Sequence, residues 1–402
     1  MPVVEAERSY GALFRVPSIA RLLVGMQVAR IAQSMVNVAM VLFALTVYGS
    51  APLAGLVGVA LALPGIVFSP VAGALLDRHG RVRLVLIDYL LAAGSLGLIA
   101  FFAAIGRLPV WLLLSIAAVS SLTSPLSTAG LRSLFPVLVP KPLWERANAA
   151  DSVGYVLATV VGPPLAGVIV QVWGPAVALA FIGAVFVAAA AVMIGLPEPH
   201  IGSSSSGSLL RAALDGLTYT LRNRTLRGLG LSFSVLNIVW GVNAIVIPLL
   251  VLVRLHGGPA LVGLLFAAQG MGGVISSTLA GRIDTRSREH RMIVYPMLGS
   301  AILLLLLLPD AGLAPILIAL VLFGVLNGPL DVAMFTIRQR RTDPAWMGRA
   351  FALSMSFNFL GFPIGTGLGG IVASQSIDGA VLIEICACLL AAVAAQLLIP
   401  FD

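Results

Sequence analysis

The chain has 402 residues, of which 59% are hydrophobic and only 10% charged, and its mean hydropathy is +1.05. A water-soluble domain carries about 25% charged residues to cover its surface, so a soluble enzyme, a nucleic-acid binder and a disordered chain are all excluded. The formal net charge of +8 arises from 24 basic residues, 23 Arg and the single Lys141, set in short clusters between apolar runs.

Crossing about 30 Å of hydrocarbon takes roughly 20 helical residues. Twelve apolar runs meet that requirement, at 19–47, 52–76, 84–105, 109–132, 148–172, 175–196, 226–253, 260–282, 292–309, 313–337, 349–373 and 378–399. They predict an all-α membrane protein with twelve transmembrane helices. The first run is too long for a cleaved signal peptide and lacks a small-residue cleavage site. Cys386 and Cys388 lie inside the last run. At i and i+2 they point to different sides of a helix, so they read as small core residues rather than a disulfide or a metal pair.

Basic residues favour the cytoplasmic side of a membrane. With the N-terminus inside, 21 of the 24 basic residues fall in cytoplasmic segments; Arg107 and Arg254 fall outside, and Arg30 lies within the first run. Both termini are therefore expected in the cytoplasm. The longest polar stretch, 197–225, divides the chain into expected halves at 1–196 and 226–402. It opens as a Pro- and Ser-rich linker. Its residues 208–223 then carry leucines at helical spacing, the pattern of a helix lying on the membrane surface.

The halves repeat. Leu53, Gly55 and Gly73 recur 208 positions later as Leu261, Gly263 and Gly281. Arg146-Ala147, Gly162 and Gly167 recur 203 later as Arg349-Ala350, Gly365 and Gly370. A two-fold internal repeat in a twelve-span chain implies two halves rocking about a central cavity, which is the architecture of a transporter.

Between the second and third runs the chain reads Gly73-Ala-Leu-Leu-Asp77-Arg78-His79-Gly80-Arg81-Val82-Arg83. This resembles the major facilitator superfamily signature Gly-x-Leu-Ala-Asp-Arg-x-Gly-Arg-Lys, with departures at Leu76 and Val82. The resemblance implies the major facilitator fold and a cytoplasmic gate built from Gly73, Asp77, Arg78, Gly80 and Arg81. The second-half counterpart from Gly281 to Arg286 is degenerate. In the fifth run, Gly154 is followed by Ala158-Thr-Val-Val-Gly162-Pro163-Pro164-Leu-Ala166-Gly167. That segment is similar to the antiporter motif of drug-exporting members, with Ala158 and Ala166 where Gly is usual. The turn Leu-Val-Pro-Lys-Pro-Leu-Trp-Glu-Arg-Ala-Asn, ending at Asn148, resembles the branch of bacterial enterobactin exporters and macrolide-efflux proteins. Small residues four apart also suit ordinary helix packing, so the export implication rests chiefly on the Gly162-Pro163 pair.

Polar residues within spans are expensive and mark candidate sites. Gln27, Arg30, Ser34 and Asn37 form one stripe on the first helix. Arginine stays charged, so Arg30 needs a wet cavity, an acidic partner such as Asp151, or a bound anionic group. Asn237, Trp240, Gln269 and Asn327 are further substrate-cavity candidates. Asp331, in the inner half of the tenth run beside Gly328-Pro329, suits a reversible proton site, with pairing to a nearby Arg as the competing reading. Glu384 in the twelfth run is a second proton-coupling candidate. The four His residues form no metal constellation, no cofactor is implied, and no phosphate-binding loop is present to use ATP.

These features predict a secondary transporter driven by the proton gradient. It would export a small amphipathic compound across a bacterial inner membrane, working as a monomer with protons and lipids as its other partners and no nucleic acid. Uptake or facilitated diffusion of a nutrient or lipid-like solute is the alternative, ahead of a transport-dead sensor. No nucleophile–base or metal cluster argues for an enzyme.

Overall fold

The computed structural model describes residues 9–197, 218–281, 288–308, 312–343 and 354–400. The described residues hold twelve helices long and apolar enough to cross a membrane, and no strand. Inside hydrocarbon every backbone polar group needs an internal partner, and a helix supplies those partners within one segment. After a short helix at Tyr10–Arg15 come α1 Ile19–Val47, α2 Ala51–His79, α3 Arg81–Ala104, α4 Val110–Leu138, α5 Trp144–Trp173 and α6 Pro175–Met193. Then follow α7 Arg224–Leu249, α8 Pro259–Ala280, α9 Glu289–Leu304, α10 Leu313–Arg340, α11 Gly361–Ala373 and α12 Ile377–Leu398.

Several helices run past the ends of their apolar runs. α3 starts at Arg81, α4 continues to Leu138 and α5 starts at Trp144. Hydropathy marks the stretch that sits in hydrocarbon, whereas a helix continues into the polar boundary, where Arg and Trp side chains are comfortable. Between α4 and α5 a tight turn, Lys141–Leu143, is closed by Trp144, whose Nε1 donates to the Val139 carbonyl at 2.8 Å. Lys141 is exposed there. Of the expected surface helix, only 218–223 lie among the described residues, and 218–222 are helical.

By contacts the chain forms two packing units, Met1–Ala39 with Pro64–Ser206, and Met40–Leu63 with Gly207–Asp402. In the first unit α3 packs against α4 and α6, and α5 against α6. Arg21, near the start of α1, donates Nε to the Val192 carbonyl at 3.1 Å and also reaches the Ile194 carbonyl, satisfying the C-terminal end of α6. In the second unit α8 packs on α10, α7 on both α11 and α12, and α9 on both α10 and α12. Glycines set the closest of these approaches: Gly324 lies on the Gln269 backbone, and Gly365 on that of Ile238. The α1–α2 hairpin joins this unit where Gly55 meets Gly370 backbone to backbone.

Each end of the second unit is tied by arginine. At one end Arg340 pairs with the buried Glu289, and Arg341 donates to the Pro400 carbonyl at 2.8 Å. At the other, α7 ends in a π-turn, Leu250–Arg254. Arg254 there donates to the Leu307 and Leu308 carbonyls at 3.1 and 3.2 Å and pairs with Asp378 at the start of α12. The Asp378 side chain is 50% exposed, so screening leaves that ion pair a small share and the carbonyl bonds dominate. Arg254→Ala is expected to cost about 1–2 kcal/mol, read as a lower melting temperature in detergent with transport rate nearly retained.

Candidate functional site

In the first packing unit, the polar stripe of α1 and the small residues of α5 face one another. A Cβ on Gly154 would run into the Gln27 side-chain oxygen. A Cβ on Gly162 would lie 2.6 Å from Ser34 Cβ and 3.2 Å from the Ile31 carbonyl. Ala158, one turn between them, is buried, as are Pro163 and Gly167. Pro163 and Pro164 sit inside the helix, and each removes a backbone donor there. The glycines are thus the sockets into which the α1 stripe fits.

Beside the first of those sockets Arg30 meets Asp151. Its Nη1 donates to the Asp151 carbonyl oxygen at 2.9 Å, and its Nη2 to the carboxylate. The guanidinium carbon stands 6.0 Å from the Tyr155 ring centroid. Of the ways of neutralising Arg30 that the sequence left open, an acidic partner on α5 is in place. Asn37, the last residue of the stripe, is exposed.

The hairpin between α2 and α3 turns at Gly80, whose φ of +92° lies where a side chain is disfavoured. Arg81 follows as the first residue of α3 and is half-buried. For Gly73, Asp77 and Arg78 only the helical backbone is described, and residues 282–287 of the second-half hairpin lie outside the described residues.

In the second unit, Asn237 and Asn327 are half-buried, and each donates to a carbonyl one turn back in its own helix, Phe233 at 2.9 Å and Phe323 at 2.8 Å. Trp240 on α7 meets Phe323 on α10 edge to face, with ring centroids 5.3 Å apart. Gln269 is buried and its Nε2 has no hydrogen-bond partner. Asp331 is exposed on α10, one turn beyond Asn327. Glu384 is fully buried on α12, and neither carboxyl oxygen has a partner. Asn243 on α7, which sequence reasoning passed over, is buried with both amide atoms unpartnered. Its signal was an amide in an otherwise apolar stretch. Buried polar groups without partners are uncommon and costly, so these three set the interior of this unit apart. Among the described residues no three His, Cys, Asp or Glu side chains come together to hold a metal ion.

Residues 9–401 match the transmembrane secretion effector family. An MFS-type transporter of Sinorhizobium fredii is 36% identical over 401 residues, covering 99% of each chain. Macrolide efflux protein A of Streptococcus pyogenes is 24% identical over 362 residues, or 87% of this chain and 88% of that one. Among solved structures, the nucleoside transporter NupG superposes with a TM-score of 0.74 at 11% identity, covering 96% of this chain and all of that one; at that identity the likeness is one of fold. With twelve spans, the intact hairpin frame and matches along its whole length, the chain is a transporter rather than an enzyme, and it belongs to the transmembrane secretion effector family within the major facilitator superfamily.

Proposed function

We propose that the chain exports a small amphipathic compound in exchange for protons by alternating access. The observation that carries this reading is the likeness to a macrolide efflux protein along most of the chain. The α1–α5 seam supports it, because the antiporter-like glycines lie directly against the polar stripe. In this reading the chain works as a monomer in a bacterial inner membrane, with both termini and the 197–225 linker in the cytoplasm. Gln27, Arg30, Ser34, Asn37, Asn237, Trp240, Gln269 and Asn327 serve the cargo. Asp331, and failing it Glu384, exchanges the proton. Gly73, Asp77, Arg78, Gly80 and Arg81 form the cytoplasmic gate.

Everted membrane vesicles decide direction and coupling together. A panel of amphipathic fluorescent compounds should accumulate when the vesicle interior is acidified, and accumulation should collapse with a protonophore. Accumulation only in right-side-out vesicles would replace export by uptake, and equilibration without a gradient would make the chain a facilitator.

The gate gives a separate expectation. Asp77→Asn should lower turnover by about tenfold, the effect of about 1.4 kcal/mol of bias between two states, with membrane insertion unchanged. Cysteine cross-linking across the cytoplasmic face should show a shifted balance of states. An unshifted balance would remove Asp77 from the gate.

A further inference from the structure

Arg30 and Asp151 lie on neighbouring helices within the first packing unit, and their pairing leaves one side of the arginine open. Asp151 takes two N–H groups of the guanidinium. Arginine offers five, and no other acceptor among the described residues takes the rest. The Asp151 side chain is 8% exposed and that of Arg30 19%, so the carboxylate is the covered member. Tyr155, whose ring centroid lies 6.0 Å from the guanidinium carbon, is 56% exposed. Gln33 and Asn37 on α1, and Asn148 on α5, are exposed on the same helix faces as Arg30 and Tyr155. Exposed amides and a phenol at membrane depth are expensive against lipid, so this face borders water.

The internal repeat separates this pair from ordinary packing. Gly162 rests on Ser34 and Gly365 on Ile238, contacts related by offsets of 203 and 204 residues. The same offsets carry Arg30 to Ser234 and Asp151 to Ser354. In the second unit the matching seam therefore closes with Gly361 on the Ser234 backbone and an uncharged serine at each place. The helix–helix contact does not require an ion pair. Charges at these two places are particular to the first half.

We propose that Arg30, oriented by Asp151, is the binding point for an acid group of the cargo, so that the transporter takes amphipathic molecules carrying a carboxylate, phosphate or sulfonate. This deepens the export reading and rests on it. The planar guanidinium fork suits such groups because it can hold two oxygens at once. Tyr155 offers an aromatic face to the apolar body of the same molecule. Asp151 is a positioning residue: it holds the fork and prevents an uncompensated charge when no cargo is bound.

The test uses full-length protein in detergent, with 5-carboxyfluorescein as the acidic probe and an uncharged alkoxycoumarin beside it, both read by fluorescence anisotropy. The wild-type chain should bind carboxyfluorescein saturably. Arg30→Gln should weaken that binding by about tenfold or more, the scale of one charge-assisted hydrogen bond, and leave the coumarin unaffected. Arg30→Lys keeps the charge without the fork and should fall between. Asp151→Asn keeps the backbone carbonyl and a side-chain oxygen to hold the fork while removing a competing negative charge, so it should tighten the acidic probe. The double variant R30Q/D151N contains no unpaired charge, so it carries the test where Arg30→Gln alone fails to fold. Failure of the wild-type chain to bind carboxyfluorescein, wild-type affinity in the double variant, or equal losses for both probes would overturn the proposal. Gradient-driven accumulation of either probe in everted vesicles reports the export reading independently. If it persists while acid binding ignores Arg30, only the acid site falls; if it is absent while acid binding tracks Arg30, the site stands and export falls.

Discussion

Gly162→Leu should abolish driven transport and lower the melting temperature more than any other single change in α5. The first added carbon would already lie 2.6 Å from Ser34 Cβ, and the rest of the side chain has only α1 to enter. Overpacking of a tight contact costs about 1–3 kcal/mol and sometimes more, and here the obstacle at the Ile31 carbonyl is backbone that cannot rotate away. The internal control is Gly97→Ala on α3, where an added Cβ meets nothing within 4 Å; it should behave as wild type. Thermal unfolding in detergent and efflux from everted vesicles measure the two effects separately. Wild-type stability and transport in Gly162→Leu would mean that the α1–α5 contact opens without cost.

The second large effect concerns coupling. Asp331 is exposed on α10 beside Gly328-Pro329 and one turn from Asn327. In the proposed exchange of cargo for protons, a carboxylate there would take up and release a proton during the cycle. Asp331→Asn should therefore eliminate gradient-driven accumulation, a loss of at least about tenfold, while equilibrium exchange of labelled cargo survives. The measurement is accumulation against exchange in the same vesicles over a range of pH. Driven transport at the wild-type rate and with the wild-type pH profile would eliminate Asp331. Glu384→Gln would then be examined next, because among the described residues of the second unit Glu384 is a fully buried carboxyl group without a hydrogen-bond partner.

Twelve spans were legible because hydrocarbon imposes a length on every crossing segment, and composition shows that length directly. Helix ends were less so, since Arg81 and Trp144 belong to helices that outlast the apolar stretch. Gly80 announced a turn because a positive φ admits few other residues. The α1–α5 seam was legible only as two separate signals, a polar stripe at 27–37 and a glycine motif at 154–167. Nothing local says that one is the socket of the other, because the contact joins residues more than a hundred positions apart. Asp151 was nameable as a partner for Arg30 on charge grounds, but the serines at the repeat-related positions acquired meaning only once Gly162 and Gly365 were seen to make matching contacts. Gln269 shows the opposite limit: nothing in the sequence around it says that the amide lies buried with its Nε2 unpartnered.

The turn at Lys141–Leu143 has a practical side. Lys141 is exposed, and no other lysine occurs in the 402 residues. An amine-reactive dye therefore marks one side chain of the unaltered protein, three residues ahead of α5 and on a turn held closed by the Trp144–Val139 bond. Spectroscopy of α5 during turnover can thus begin from the native chain, without first replacing cysteines or inserting a tag.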